Sequence, residues 1–254
     1  VFSVYKEKYL LHRYYGKKDK KADLGYKRIW RGFSTYPEET GLSYCPNDEL
    51  LEFSFFGTGD YRSAALKIKS QNGDSNTLFV YSGYEIIQGR VALPNLPYAK
   101  EEKNTQTLCV YLDDEVTCCR LTLYYTVYPD HDIISRYFSV ENKGKHTVKI
   151  ERAMSLCLDL PRNDFDMITL YGTYWWEMNT QRVPLHYGTQ SVGSRRSSSS
   201  HNFNPFMALV DHNATEEKGD VYAFNLMYSG NFLNNVEVEY FKNTRVTVGL
   251  GEEY

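Results

Sequence analysis

The stretch LTLYYTVY, residues 121–128, alternates Leu121, Leu123, Tyr125 and Val127 with Thr122, Tyr124, Thr126 and Tyr128. A period of two describes a strand with one apolar face, because successive side chains point to opposite sides of a sheet. The same scheme recurs. VKIERAMSLCLDL (148–160) sets Val148, Ile150, Met154, Leu156, Leu158 and Leu160 on one face, and VEVEY (236–240) and TRVTVGL (244–250) repeat it near the end. Turn residues separate the runs: DDE at 113–115, YPDHD at 128–132, ENKGK at 141–145 and YSGN at 228–231. No window shows the 3.6-residue stripe of an amphipathic helix. The pattern predicts an all-β chain of antiparallel strands in a two-sheet, sandwich-like architecture.

Length and charge narrow the function. The 254 residues suit one large β domain, and the formal net charge of −3 carries no electrostatic footprint for nucleic acid or an anionic membrane. The basic run RYYGKKDKK (13–21) reads as a solvated turn. Tyrosine is abundant, 23 of 254, which fits half-buried strands with the ring inside and the hydroxyl at the rim. Sugar-stacking surfaces also use such rings. The five cysteines (Cys45, Cys109, Cys118, Cys119, Cys157) are odd in number and lack CxxC spacing, so buried free thiols in a reducing, cytoplasmic setting are expected rather than disulfides or zinc. No signal peptide or membrane-spanning run is visible. The chain starts at Val1 inside a strand-like pattern, as expected of a piece cut from something longer.

Candidate chemistry is sparse. Asp164 and Asp166 in RNDFDM, and Asp130 and Asp132 around His131, sit in polar clusters typical of turns. His201 follows a serine run without a G-x-S-x-G turn, and GTGDYR (57–62) lacks the lysine and the strand-to-helix setting of a phosphate loop. No cofactor and no metal site is expected. The run SRRSSSS (194–200) looks like a linker, yet strands are predicted on both sides of it, so 188–206 is expected to be one long ordered loop within a domain.

Seven stretches carry a resemblance: YLLHRYYGKK (9–18), RGFS (31–34), GTGDYRSAAL (57–66), LYYTVY (123–128), RVPLHYGTQS (182–191), SRRSSSSHNFNPFMAL (194–209) and VYAFNLMYSGNFL (221–233). In this order and spacing they resemble the N-terminal domain of the family 36 glycoside hydrolases, the α-galactosidases of bacteria and fungi. The resemblance covers nearly the whole chain. It implies a β-supersandwich, two large packed antiparallel sheets of galactose-mutarotase-like type, forming one domain over 1–254 that is truncated at both ends. It also implies that the aspartate nucleophile and the aspartate acid/base lie in a following (β/α)₈ barrel absent from this chain. Catalytic residues are therefore expected to be none here, and the implied partners are an α-galactoside held by the parent enzyme, the missing barrel and further copies in a homo-oligomer.

Substrate contacts implied by the resemblance are Trp30, Arg31, Asp60, Arg62 and Trp176. Departures accompany it. Trp30-Arg31-Gly32-Phe33 stands where members often read DRGF, the stretch between Pro37 and Leu50 lacks the usual DRT-SLDT pattern, and Tyr174-Trp175-Trp176-Glu177-Met178 replaces a W-x-R-E-R run. Two other readings compete: a stand-alone carbohydrate-binding module, and a mutarotase-like enzyme that would need a His and an acidic residue for acid–base catalysis. The six histidines show no mutarotase-like pattern.

Overall fold

The computed structural model describes residues 1–16, 45–57, 59–92, 94–100 and 103–250. The chain divides into two compact units, Val1–Ser155 and Leu156–Tyr254. Helix is nearly absent among the described residues, a single 3-10 turn at Pro46–Asp48 being the visible exception.

In the first unit, β1 (Phe2–Tyr5) and β2 (Tyr9–His12) form a hairpin, and β3 (Leu66–Lys69) pairs with the first half of β8 (Lys149–Leu160). A four-stranded antiparallel meander follows: β4 (Val80–Gln88), β5 (Gln106–Asp114), β6 (Cys119–Tyr128) and β7 (Ile133–Asn142). Leu121, Leu123 and Tyr125 are buried, as the alternation predicts. The opposite face departs from it. Thr122, Thr126 and Tyr128 are buried too, and Val127 is exposed. The aspartates of DDE also move: Asp113 and Asp114 end β5, and Asp114 turns inward to accept from the N–H and hydroxyl of Thr117 at 2.8 and 2.5 Å, closing the turn one step later.

The second unit holds two sheets. One has the order β10 (Trp176–Pro184), β9 (Phe165–Thr173), β12 (Phe203–Asp211), β13 (Val221–Asn225). The other runs β11 (Gly188–Ser194), β14 (Phe232–Val238), β15 (Thr244–Leu250) and then β8. Phe165, Met207, Leu209, Phe232, Val236 and Val246 are almost completely buried and make its core. The all-β, antiparallel expectation holds in both units.

The predicted loop 188–206 is shorter than expected. Gly188–Ser194 is strand β11, paired with β14 from Gly188↔Val238 to Ser194↔Phe232, because GTQSVGS sets a buried Val192 and Ser194 on either side of a half-buried Gly193. The true connection is 195–202. It is tied down: Ser194 Oγ donates to Ser198 O (2.7 Å), Ser199 N to Ser229 O (2.8 Å) and Ser197 N to Asn231 Oδ1 (2.6 Å). Small hydroxyl and amide side chains thus satisfy an irregular backbone locally.

Candidate functional site

Trp30 and Arg31 lie outside the described residues. Asp60 and Arg62 are described and meet each other. Arg62 Nε donates to Asp60 Oδ1 at 2.7 Å, and Arg62 Nη2 donates to the carbonyls of Pro46 (3.1 Å) and Glu49 (2.8 Å). Tyr61 N reaches Asn47 Oδ1, and Cys45 Sγ reaches Gly59 O, both at 3.1 Å. The planar guanidinium fork therefore welds the GDYR loop to the segment around Pro46–Asp48. The two side chains are 2–3% exposed, so what they shape directly is backbone.

Trp176 opens β10 at the tip of the β9–β10 hairpin and is exposed, beside Tyr174, Trp175 and Met178, which are exposed as well. The tip is built rather than loose. Trp175 (φ 68°) and Met178 (φ 61°) occupy the left-handed region, which costs a bulky residue about 1–2 kcal/mol. The register shifts between Trp176 and Asn179, and Asn179 Nδ2 donates to Trp176 O at 2.8 Å across that bulge. Gly172 permits it: a Cβ there would stand 2.3 Å from Trp176 O. Gly172 and Asn202 exchange bonds, Gly172 N to Asn202 O (3.1 Å) and Asn202 Nδ2 to Gly172 O (3.3 Å), so the serine-rich connection props the aromatic hairpin.

Two polar knots were not legible in the sequence. In the first unit Glu52 is fully buried. His12 Nδ1 lies 2.6 Å from Oε2, while Arg136 Nη2 (2.5 Å) and Tyr125 O–H (3.0 Å) donate to Oε1. Burial, then the Glu52 charge, pushes the Tyr125 phenol well above its ordinary range, so it stays a donor. A His beside a Glu is what a mutarotase-like reading requires, but His12 and Glu52 are 2% and 0% exposed, and both carboxylate oxygens are engaged within the protein.

In the second unit Asp166, read from sequence as a turn residue, belongs to β9. It accepts from Arg182 Nε at 2.6 Å and faces His212 Nδ1 at 2.5 Å. Arg182 continues to the carbonyls of Ala214, Asp211 and His212 at 2.8–3.0 Å. Arg162 bridges Asp164 (2.5 Å) and Asp211 (2.7 Å). Burial pushes Asp166 up, but its bonds with Arg182 and His212 prevail and hold the carboxyl below the usual range. The Arg162 bond lowers Asp164, and the Asp220 N–H lowers Asp211. Asp130, His131 and Asp132 do remain in a turn, closed by His131 N to Tyr128 O at 3.0 Å.

Residues 8–253 match the model of the glycosyl hydrolase family 36 N-terminal domain. The chain is 37% identical over 254 residues to α-galactosidase AgaA of Geobacillus stearothermophilus, covering 98% of this chain and 35% of that protein. It is 38% identical to the bifunctional α-galactosidase/sucrose kinase AgaSK of Mediterraneibacter gnavus, covering 96% of this chain and 27% of the relative. The crystal structure of AgaA superposes with a TM-score of 0.94 at 36% identity, over 99% of this chain and 36% of that one. The chain thus spans about a third of the length of AgaA and about a quarter of that of AgaSK. With the all-β fold and the tied serine-rich connection, these matches establish that the chain belongs to the glycosyl hydrolase family 36 N-terminal domain family.

Proposed function

We propose that this chain is the front domain, 1–254, of an α-galactosidase, and that it supports a catalytic barrel, subunit contacts and one wall of the substrate cleft without performing the chemistry. The observation that carries the reading is similarity along nearly the whole chain to α-galactosidases that extend far beyond it. Two AgaA variants similar to this chain were crystallised with stachyose and raffinose, and α-galactosides of that kind are the proposed substrates of the parent. Retaining hydrolysis needs two carboxyls about 5–5.5 Å apart, one attacking and one protonating the leaving oxygen. Asp60 is buried on Arg62, and Asp166 sits between Arg182 and His212, so both carboxylates are already engaged within the protein.

Trp30 and Arg31 are the proposed substrate-side residues, with Asp60 and Arg62 acting through the backbone they hold. Trp176 presents an exposed ring on the second unit. All five cysteines are free thiols, four buried as expected and Cys118 exposed contrary to it; they suit a cytoplasmic parent, and the parent is proposed to be a homo-oligomer. The test is hydrolysis of an aryl α-galactoside. The parent is expected to turn it over and residues 1–254 are not. Trp30→Ala in the parent should raise KM more than it lowers kcat, the signature of lost uniform binding. Turnover by the 254-residue chain that disappears in Asp60→Ala would overturn the reading.

A further inference from the structure

We propose that the tip of the β9–β10 hairpin is a saccharide-binding surface, on which Trp175 and Trp176 take the ring faces of a galactose-containing oligosaccharide. The ligand class rests on the α-galactosidase reading above; the surface itself rests on the backbone of the hairpin.

Thr173 pairs with Trp176, so Tyr174 and Trp175 form a two-residue hairpin loop. Loops of this length fill their left-handed positions with Gly, Asn or Asp, because a large side chain is strained there. Here Trp175 stands at φ 68°. The bulge repeats the choice three residues later, with Met178 at φ 61° in a conformation that favours Gly. Burial of the side chains would offset such strain, but Trp175 is 83% exposed and Met178 59%. A backbone that costs stability and gains little packing within the domain points to a ligand outside it.

The tip is held ready for one. Asn202 braces Gly172 beneath it through both a carbonyl and an amide, and Asn179 Nδ2 ties the bulge to Trp176 O at 2.8 Å. A surface ordered in advance loses little conformational entropy when a ligand arrives.

The chemistry selects a sugar. Trp175 meets Tyr174 edge-to-face at 5.4 Å, and Trp176 meets Tyr171 in the same way at 6.1 Å. In such a contact one ring gives an edge and the other a single face, so each indole keeps an open face. That face is the negative side of the ring quadrupole. A pyranose offers it a side lined with C–H hydrogens, and galactopyranose, with one axial hydroxyl, gathers several of them together. The hydroxyls at the sugar rim need partners. Glu177 is exposed, with Oε1 accepting from Trp175 N at 3.2 Å, and Asn204 Nδ2 donates to Met178 Sδ, a weak acceptor, at 3.5 Å. A protein docked on this tip would have to bury the Glu177 charge, which is costly unless a cation meets it. A hydrated saccharide leaves that carboxylate in water.

Intrinsic fluorescence supplies the test. The chain has three tryptophans, and Trp30→Phe leaves the two of the hairpin. In that background stachyose should change the emission saturably, with a dissociation constant of about 1–10 mM. Glycerol at equal mass concentration should not. Trp176→Ala and Trp175→Gly should each raise that constant at least about tenfold with unchanged circular dichroism, and Trp176→Tyr, which keeps a ring, should stay within about threefold. For Trp175→Gly binding should fall while melting temperature does not, the mark of strain kept for a ligand. No saturable change up to about 50 mM stachyose, or a change indifferent to the hairpin variants, would overturn the proposal. So would hydroxyl-radical labelling in which both indoles are protected in the sugar-free parent, because the rest of the parent would then cover the tip. Hydrolysis of the aryl α-galactoside tests the enzyme reading separately, so either can fail while the other stands.

Discussion

Glu52 in the first unit and Asp166 in the second make the same three-part arrangement: a carboxylate faced by a histidine Nδ1 and held by an arginine. They differ in exposure. Around Glu52 the side chains of His12 and Arg136 are 2% and 7% exposed; around Asp166 those of His212 and Arg182 are 50% and 35% exposed. The first knot adds a phenol, Tyr125, and draws on β2, β6 and β7, fastening strands far apart in sequence. The second fastens mainly the turn after β12, through three carbonyls. Identical groups therefore do different work. In a dry interior a removed partner leaves an uncompensated charge, whereas at the rim water takes over much of the lost bonding.

The largest effect follows at Glu52. Glu52→Gln leaves Arg136 buried beside a neutral amide and should lower stability by about 3–5 kcal/mol. Urea unfolding followed through the first unit measures it, and a loss below about 1 kcal/mol would mean that the interior there is wet. Asp166→Asn should cost less, about 1–2 kcal/mol, because both partners are reachable by solvent.

That substitution also has a pH signature. Asp164, Asp166 and Asp211 are held below the ordinary carboxylate range, and Asp113 lies at about 2 through the bonds from Arg120. A carboxyl whose folded pKa is depressed contributes stability above its unfolded value near 4, and that contribution fades as pH falls toward the folded value. Melting temperature should thus be flat from pH 7 to about pH 5 and then drop toward about pH 2, with a shallower drop in Asp166→Asn. An unchanged slope in the variant would remove Asp166 from the account.

The smallest effect is expected at the exposed hairpin. Trp175→Gly gives a left-handed position to the residue that tolerates it, and with an 83% exposed indole little packing is lost. Stability should stay within about 1 kcal/mol of the parent chain, on the stabilising side. A clear loss by thermal melting would show that the Trp175 ring, edge-to-face with Tyr174 at 5.4 Å, packs more than its exposure suggests.

Strand content was readable because a period of two is a local property. Leu121, Leu123, Tyr125, Met154 and Leu158 are buried as the alternation required, whereas Ile150, read on the same inward face as Met154, is exposed at the start of β8, and the family stretches were legible as short runs. Errors arose where local chemistry has two uses. Gly188–Ser194 looks like loop by composition, yet it supplies alternating contacts to β14; Asp166 sits in a polar cluster, yet it opens a strand.

What no stretch of sequence contained was partnership. Glu52 is 40 residues from His12, 73 from Tyr125 and 84 from Arg136, and the buried Asp159 meets Arg245 across 86 residues in a two-pronged pair at 2.7 Å. The chain by itself determined where its strands run, because a period of two depends on neighbours two positions away. Only the tertiary structure decided which buried charges neutralise one another. Those outcomes depend on register between distant strands, where a one-residue slip would turn every such side chain to the other face.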